Sequence, residues 1–351
     1  VVGWLIDMLL GARCGAGVCR RASGSLARPG AGRSAWTGGG RLVHNGRTRS
    51  QAGKRMARPY VEFIQSQRLP WVAAPAAFPG AQCKWLSEDP DGGACTLLLR
   101  WPRGVHALPP ALAADWELFV LRGVLRLGPT LRLGTHFYAY LPTGQALGEA
   151  AAGQAEDVAT IPGGEGPGDG AAIVLAFFSA APRAATGEGA GHDASRLVGP
   201  IDTTALRWDA SGIDPNINHL NAARKNLRFA PEGDCRSYLL GGMPQGYPYG
   251  GAAMERHPHV EEFFLVSGDM ASHLGVMRAG GYFHRPPGIA HGRDCTRSGY
   301  LLFCRTPGAN RTTTDWTTET YEVKWDMPYR PVVPAALGIL DPQPLPDPVE
   351  Y

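Results

Sequence analysis

The chain repeats itself, and the repeat constrains its fold more than any other feature. Lys84-Trp-Leu-Ser-Glu-Asp-Pro90-Asp-Gly92 is echoed 141 residues later by Lys225-Asn-Leu-Arg-Phe-Ala-Pro231-Glu-Gly233. Glu117-Leu-Phe-Val-Leu-Arg-Gly123 returns as Glu262-Phe-Phe-Leu-Val-Ser-Gly268 at an offset of 145. Tyr138-Ala-Tyr-Leu-Pro142-Thr-Gly144 returns as Tyr282-Phe-His-Arg-Pro286-Pro-Gly288 at 144. Three matches in one order at a near-constant offset describe two tandem copies of one unit. The division that follows is 56–197 for the first copy and 198–351 for the second, with a Gly/Ala/Pro-rich joint near 180–200. Beyond Pro331 the second copy ends in a Pro-rich arm expected to wrap the surface.

Each copy consists of short apolar runs separated by turn residues. Thr96–Trp101, Leu118–Leu121 and Ile173–Phe178 read as strands in the first copy, and Tyr238–Leu240, Phe263–Val266 and Tyr300–Cys304 in the second. Pro90-Asp-Gly-Gly93 and Pro231-Glu-Gly233 carry turn chemistry. Gly and Pro supply 77 of 351 residues, a content that argues against a helical bundle. Only Asn216–Lys225 suggests a short helix. The fold class is therefore all-β, with one barrel or sandwich per copy. No uncharged apolar stretch reaches 18 residues, so no membrane-spanning helix is expected.

Residues 1–55 are Gly-, Arg- and Ser-rich without periodicity and read as a disordered basic extension outside the fold. The first 58 residues hold eleven Lys/Arg against the single acid Asp7, which leaves the remainder with 23 basic and 30 acidic residues. A mildly acidic body lacks the basic face that nucleic-acid binding needs. The seven cysteines form no Cys-x-x-Cys pair. That count argues against a disulfide framework and for a cytoplasmic setting.

One block concentrates metal-ligating side chains: His257-Pro-His259-Val-Glu261-Glu262, followed by Gly280-Gly-Tyr-Phe-His284-Arg-Pro286-Pro-Gly288-Ile-Ala-His291. Alternate residues of a strand share a face. His257, His259 and Glu261 then converge, while Glu262 points away, and a hairpin returns His291 beside them. Three imidazoles and a carboxylate suit Fe(II), Mn(II), Ni(II) or Zn(II). His284 either lines the same cavity or is packed. His44, His192, His219 and His273 have no companions and read as surface residues. Glu262 has a counterpart in Glu117, in the copy without the histidines. Its role is expected to be structural, with a cost of removal nearer about 1 kcal/mol than about 5.

These two segments resemble the paired motifs of the cupin superfamily. Glu261, six residues and Gly268 match the end of the first motif. Gly280, five residues, Pro286-x-Gly288, two residues and His291 match the core of the second. Only Val260 separates His259 from Glu261, where the family has more residues, so the carboxylate is Glu261 by strand phase or Glu262 if the strand is bulged. In the first copy Leu147 falls where the second-motif histidine belongs, and no His-x-His precedes Glu117. The resemblance implies two tandem jelly-roll barrels, with one divalent ion per chain held by His257, His259, Glu261 and His291. Iron is the foremost candidate, and zinc, manganese and nickel are the alternatives. The first barrel then has a structural role. The chain looks most like a bacterial bicupin group related to an anti-sigma-factor cupin domain and to C–C-cleaving dioxygenases. The function implied is a mononuclear non-haem Fe(II) dioxygenase acting on a small carbonyl or enol compound. The alternatives are a non-catalytic zinc-bound ligand-binding or sensory module and a metal-dependent isomerase. Phe263, with Phe283 or Tyr282, would keep the cavity dry. The partners expected are a small-molecule substrate or ligand and further copies of the chain in a homo-oligomer, with neither nucleic acid nor membrane.

Overall fold

Successive side chains of a strand point to opposite faces, so an unbroken apolar run marks a strand covered on both sides. The computed structural model describes residues 58–153, 170–186, 192–213, 221–230, 235–245, 252–292, 294–309 and 312–333. All of them lie within one compact unit, Lys54–Tyr351. The expected extension 1–55 and the arm beyond residue 333 lie outside the described residues. Before the joint run β1 (Val61–Gln65), β2 (Val72–Ala73), β3 (Gln82–Glu88), β4 (Cys95–Trp101), β5 (Gly104–Ala107), β6 (Trp116–Arg122), β7 (Val124–Leu127), β8 (Leu131–Leu133), β9 (Phe137–Leu141), β10 (Glu149–Gly153) and β11 (Ala172–Phe178). After it run β12 (Val198–Asp202), β13 (Ala223–Phe229), β14 (Arg236–Gly242), β15 (Ala252–Arg256), β16 (Glu261–Ser272), β17 (Gly275–Arg278), β18 (Gly281–Arg285), β19 (Tyr300–Arg305) and β20 (Asp315–Tyr321).

The strands build two tandem jelly-roll barrels. The first has a large sheet of order β12-β9-β6-β11-β4-β3-β2 and a smaller one, β5-β10-β7-β8. The second has the sheet β1-β18-β16-β19-β14-β13, with β17 on β16, and the pair β15-β20. Alternation sorts the side chains between three apolar layers. In β11, Val174, Ala176 and Phe178 fill the first barrel, while Ile173, Leu175 and Phe177 enter a layer between the copies. In β16, Phe263 and Leu265 fill the second barrel, while Phe264 and Val266 face the same shared layer. Phe303 of β19 sits at its centre, with ring centroids 5.2 Å from Phe119, 5.3 Å from Phe177 and 6.1 Å from Tyr138. This double burial is why the apolar runs are continuous.

The strand that opens each copy crosses to the other. β1 pairs with β18 (Val61 opposite His284, Ile64 opposite Tyr282), and β12 pairs with β9 in the equivalent register (Val198 opposite Tyr140, Ile201 opposite Tyr138). The repeated lysines lock these crossings. Lys84 Nζ donates to the Ser66 carbonyl at 2.9 Å and lies 4.7 Å over the Trp71 ring. Lys225 Nζ donates to the Thr203 carbonyl at 2.8 Å and lies 4.7 Å over Trp208. A bulge in β1 puts Phe63 at φ 54° and turns its ring into the second barrel. The joint is thus an exchange: β1, within 56–197 by the repeat, belongs to the second sheet, and β12 belongs to the first.

Where Asn216–Lys225 suggested a helix, the described part is otherwise. Lys225 lies in β13, with Lys225 and Leu227 buried on either side of exposed Asn226, a period of two. Residues 214–220 lie outside the described residues. Among the described residues no helix is long and apolar enough to cross a membrane.

Candidate metal centre

β15 stops at Arg256, the chain bends through 257–260, and β16 starts at Glu261. His257 and His259 therefore stand on a bend rather than in the strand that their alternation suggested, and other contacts aim them. Glu255 and His291 are directly opposed, joined by two backbone hydrogen bonds of 2.8 and 2.9 Å. The Gly288 N–H donates to the His257 carbonyl at 2.8 Å. Gly288 has φ +83°, a conformation that suits glycine, and it lets the Pro286-Pro-Gly288 turn carry His291 back. Gly268, which closes the first motif, has φ +87° and is crowded as well: a Cβ there would lie 1.9 Å from the Gly299 carbonyl oxygen.

These contacts bring Glu255, His257 and His291 together, with one donor atom of each within 4.8 Å of the others. Glu261 joins them, its Oε1 3.2 Å from His257 Nε2 and its Oε2 3.1 Å from His291 Nε2. The His259 ring stacks on His257 at 5.2 Å and 18°. His259 Nε2 accepts the Thr313 N–H at 3.3 Å, so this ring borders the cluster. His257, Glu261 and His291 are thus in contact, His259 stands beside them with its Nε2 engaged by Thr313, and all four are buried.

Backbone carbonyls set the imidazole tautomers. Nδ1 faces the Thr313 carbonyl in His257 (2.8 Å), Val260 in His259 (3.1 Å) and Gly292 in His291 (3.4 Å). A carbonyl only accepts, so the proton is assigned to Nδ1 and the lone pair to Nε2, the form in which imidazole binds metals. Burial pushes the titration of His259 and His291 down, which favours that neutral form. Burial alone would raise Glu261, but His257 and His291 in their protonated form, together with the Arg285 guanidinium, hold it well below the usual carboxylate range.

The cluster then has an unusual electrostatic property. With both imidazoles neutral and protonated at Nδ1, two lone-pair nitrogens face two carboxylate oxygens at 3.1–3.2 Å, an arrangement that a bound cation would relieve. His291 Nε2 is buried and has no hydrogen-bond partner among the described residues. Two donor atoms bound at right angles to one ion at about 2.1 Å are about 3 Å apart. The donor set fits a divalent cation.

Glu262 takes the opposite face. Its Oε1 accepts from Arg58 (2.7 Å), Tyr282 (2.6 Å) and the Thr96 hydroxyl, and its Oε2 from Arg305 (2.7 Å). Glu117 repeats the pattern, accepting from Tyr138 at 2.7 Å and Arg305 at 2.6 Å. Arg305 therefore bridges the two copies. His284 lies on this face too, its Nδ1 3.0 Å from the Pro59 carbonyl. Tyr282 likewise belongs to the shared layer, whereas Phe263 and Phe283, 4.9 Å apart, pack inside the second barrel. His273, expected at the surface, is half-buried: its ring meets Tyr321 edge-on at 5.4 Å, and its Nδ1 is buried.

At the equivalent positions of the first copy, Trp116 replaces Glu261 and Leu147 replaces His291. Both are buried in an apolar core where Phe78, Trp101, Trp116 and Phe178 pack ring against ring. The sequence reading missed Glu255, although it extends the alternation Glu255-His257-His259-Glu261. It also missed Thr313 and the buried pair Glu62–Arg285, for which no local pattern exists.

No protein-family model matches the chain, and no curated protein matches it. Among solved structures, a candidate dioxygenase from Nostoc punctiforme PCC 73102 is similar with a TM-score of 0.58 and 18% identity, over 75% of this chain and 92% of that one. Protein YlbA from E. coli gives 0.49 and 13%, over 72% and 93%. A variant of Bacillus subtilis oxalate decarboxylase gives 0.44 and 10%, over 74% and 80%. The similarity at 0.58 is one of fold.

Proposed function

We propose, from its two tandem barrels and the cupin-like motifs of the second, a metal-dependent bicupin whose second barrel holds one divalent ion through His257, His259, Glu261 and His291. Glu255 offers a further carboxylate within 4.8 Å of the His257 and His291 donor atoms, and His259 enters the set by releasing the Thr313 N–H. The observation that carries the reading is the convergence of His257 Nε2 and His291 Nε2 on the Glu261 carboxylate at 3.1–3.2 Å. A mixed imidazole–carboxylate set suits Fe(II), with Mn(II), Ni(II) and Zn(II) as alternatives. The reaction proposed is dioxygenation of a small carbonyl or enol compound, in keeping with the name carried by the Nostoc protein. The ion, when bound, would supply Lewis acidity and electron transfer.

The chain's own residues have separable tasks in this reading. The three backbone carbonyls keep the Nδ1 protons in place and so present Nε2. Glu261 brings one negative charge toward the dication. Phe263 and Phe283 close the barrel behind the site and exclude water from it, which strengthens every charge interaction there. The test is the metal content of protein purified anaerobically, followed by oxygen uptake with a panel of diketones and phenolic ketones. Stoichiometric iron with uptake supports the proposal, as does loss of both in His257→Ala and His291→Ala. Stoichiometric zinc without uptake would favour the non-catalytic module instead. Protein that takes up no divalent metal would overturn the reading.

A further inference from the structure

We infer that Glu62, on the strand that crosses from the start of the chain, is a positioning residue for the metal site and acts through Arg285. The inference rests on the metal reading above. Arg285 lies in β18, and its guanidinium is shared between two carboxylates. Nε and Nη2 donate to Glu62 Oε2 and Oε1, both at 2.7 Å, a bidentate fork. The remaining arm, Nη1, reaches Glu261 Oε2 at 3.1 Å. All three side chains are buried, Glu62 to 1% exposure and Arg285 to 4%. Glu62 is itself clamped. Its strand pairs with β18, and its backbone exchanges hydrogen bonds of 3.0 and 2.9 Å with Val332 on the other side. The flat guanidinium also lies 3.9 Å over the Phe283 ring. Its plane and its reach are therefore fixed.

The electrostatic consequence follows from sharing. An isolated buried cation beside Glu261 would neutralise the carboxylate and repel a second cation. Glu62 compensates that charge with the stronger, two-point contact, so Arg285 touches Glu261 through one N–H only. The charge of the Glu261 carboxylate thereby remains available to a dication. Sequence position conceals this, because residues 62 and 285 meet only through the exchanged strand.

The test uses the full chain and Mn(II) as the probe, with affinity measured by titration for wild type, Glu62→Gln and Glu62→Gln/Arg285→Gln. Glu62→Gln removes the charge of Arg285's two-point partner, leaving Glu261 and Asp294 as its counter-charges, and is expected to weaken Mn(II) binding at least tenfold, about 1.4 kcal/mol. The double variant removes the unbalanced cation and is expected to return to within about threefold of wild type, a rescue that a merely structural role would not produce. If Glu62→Gln does not fold, Glu62→Asp, which keeps the charge but is too short for the two-point fork, takes its place; weaker Mn(II) binding is expected, and binding like wild type overturns the proposal. The proposal is overturned if Glu62→Gln binds Mn(II) like wild type, or if the double variant binds at least tenfold more weakly than wild type. Wild type that binds no Mn(II) overturns the metal site together with this inference; wild type that binds while Glu62→Gln is unchanged overturns the inference alone.

Discussion

Glu261 and Glu262 are adjacent and buried to similar degrees, yet their replacement by glutamine should have opposite signatures. Glu261→Gln removes an anion that faces two imidazole nitrogens at 3.1–3.2 Å. It should weaken binding of Fe(II) or Zn(II) by tenfold or more, on the order of 1.4 kcal/mol at least. Glu262 is fully buried and accepts from two guanidiniums and two hydroxyls. A glutamine there must turn an NH₂ toward one of these donors, and it leaves Arg58 without its carboxylate. Removing one partner of a buried pair costs about 3–5 kcal/mol, well above the roughly 1 kcal/mol that the sequence alone leads one to expect. For a protein of this size the melting temperature should fall on the order of 10 °C. Metal affinity should stay within about twofold, because none of these contacts reaches the cluster. Chemical denaturation and metal titration of both variants decide the matter. Loss of affinity in Glu262→Gln together with retention in Glu261→Gln would refute the argument from strand phase.

Three further outcomes follow from the same contacts. Burial and Arg58 push His284 down to about 4, so the unfolded chain, near 6.5, takes the proton first. The stability this residue contributes above pH 6.5 is lost as the pH falls through 4, up to about 3 kcal/mol. Burial pushes Asp294 up to about 7, which changes stability the other way over an overlapping range. The quantity to measure is therefore the difference between wild type and His284→Gln across pH 4–7, and parallel curves would dismiss the claim. Phe303→Ala opens a cavity among Phe119, Phe177 and Tyr138 and should cost about 3–5 kcal/mol by denaturant unfolding; a loss below about 1 kcal/mol would mean that the two barrels do not share one core. Arg305→Met strips a guanidinium from both Glu117 and Glu262 and should cost at least about 3 kcal/mol. Adding Glu117→Gln should recover part of that loss, and a further drop instead would count against the shared bridge.

The sequence by itself determined whatever depends on neighbours along the chain. The repeated segments announced two copies, the apolar runs became β4, β6, β11, β14, β16 and β19, and Gly268 and Gly288 mark turns that only small or left-handed residues permit. The opposite facing of Glu261 and Glu262 is also local, because one peptide step reverses a side chain. Tertiary structure decided the rest. It carried β1 and β12 across to the opposite copies, set Glu255 against His291, aimed Thr313 at two imidazoles and closed Glu62 on Arg285. It also overruled the strand expected under His257 and His259, whose rings are aimed from a bend by Gly288, Thr313 and the Glu255–His291 pairing. Each of these depends on which strand lies beside which, between residues up to 223 positions apart. Alternation records which face a side chain occupies, but it carries no record of the strand that will cover that face.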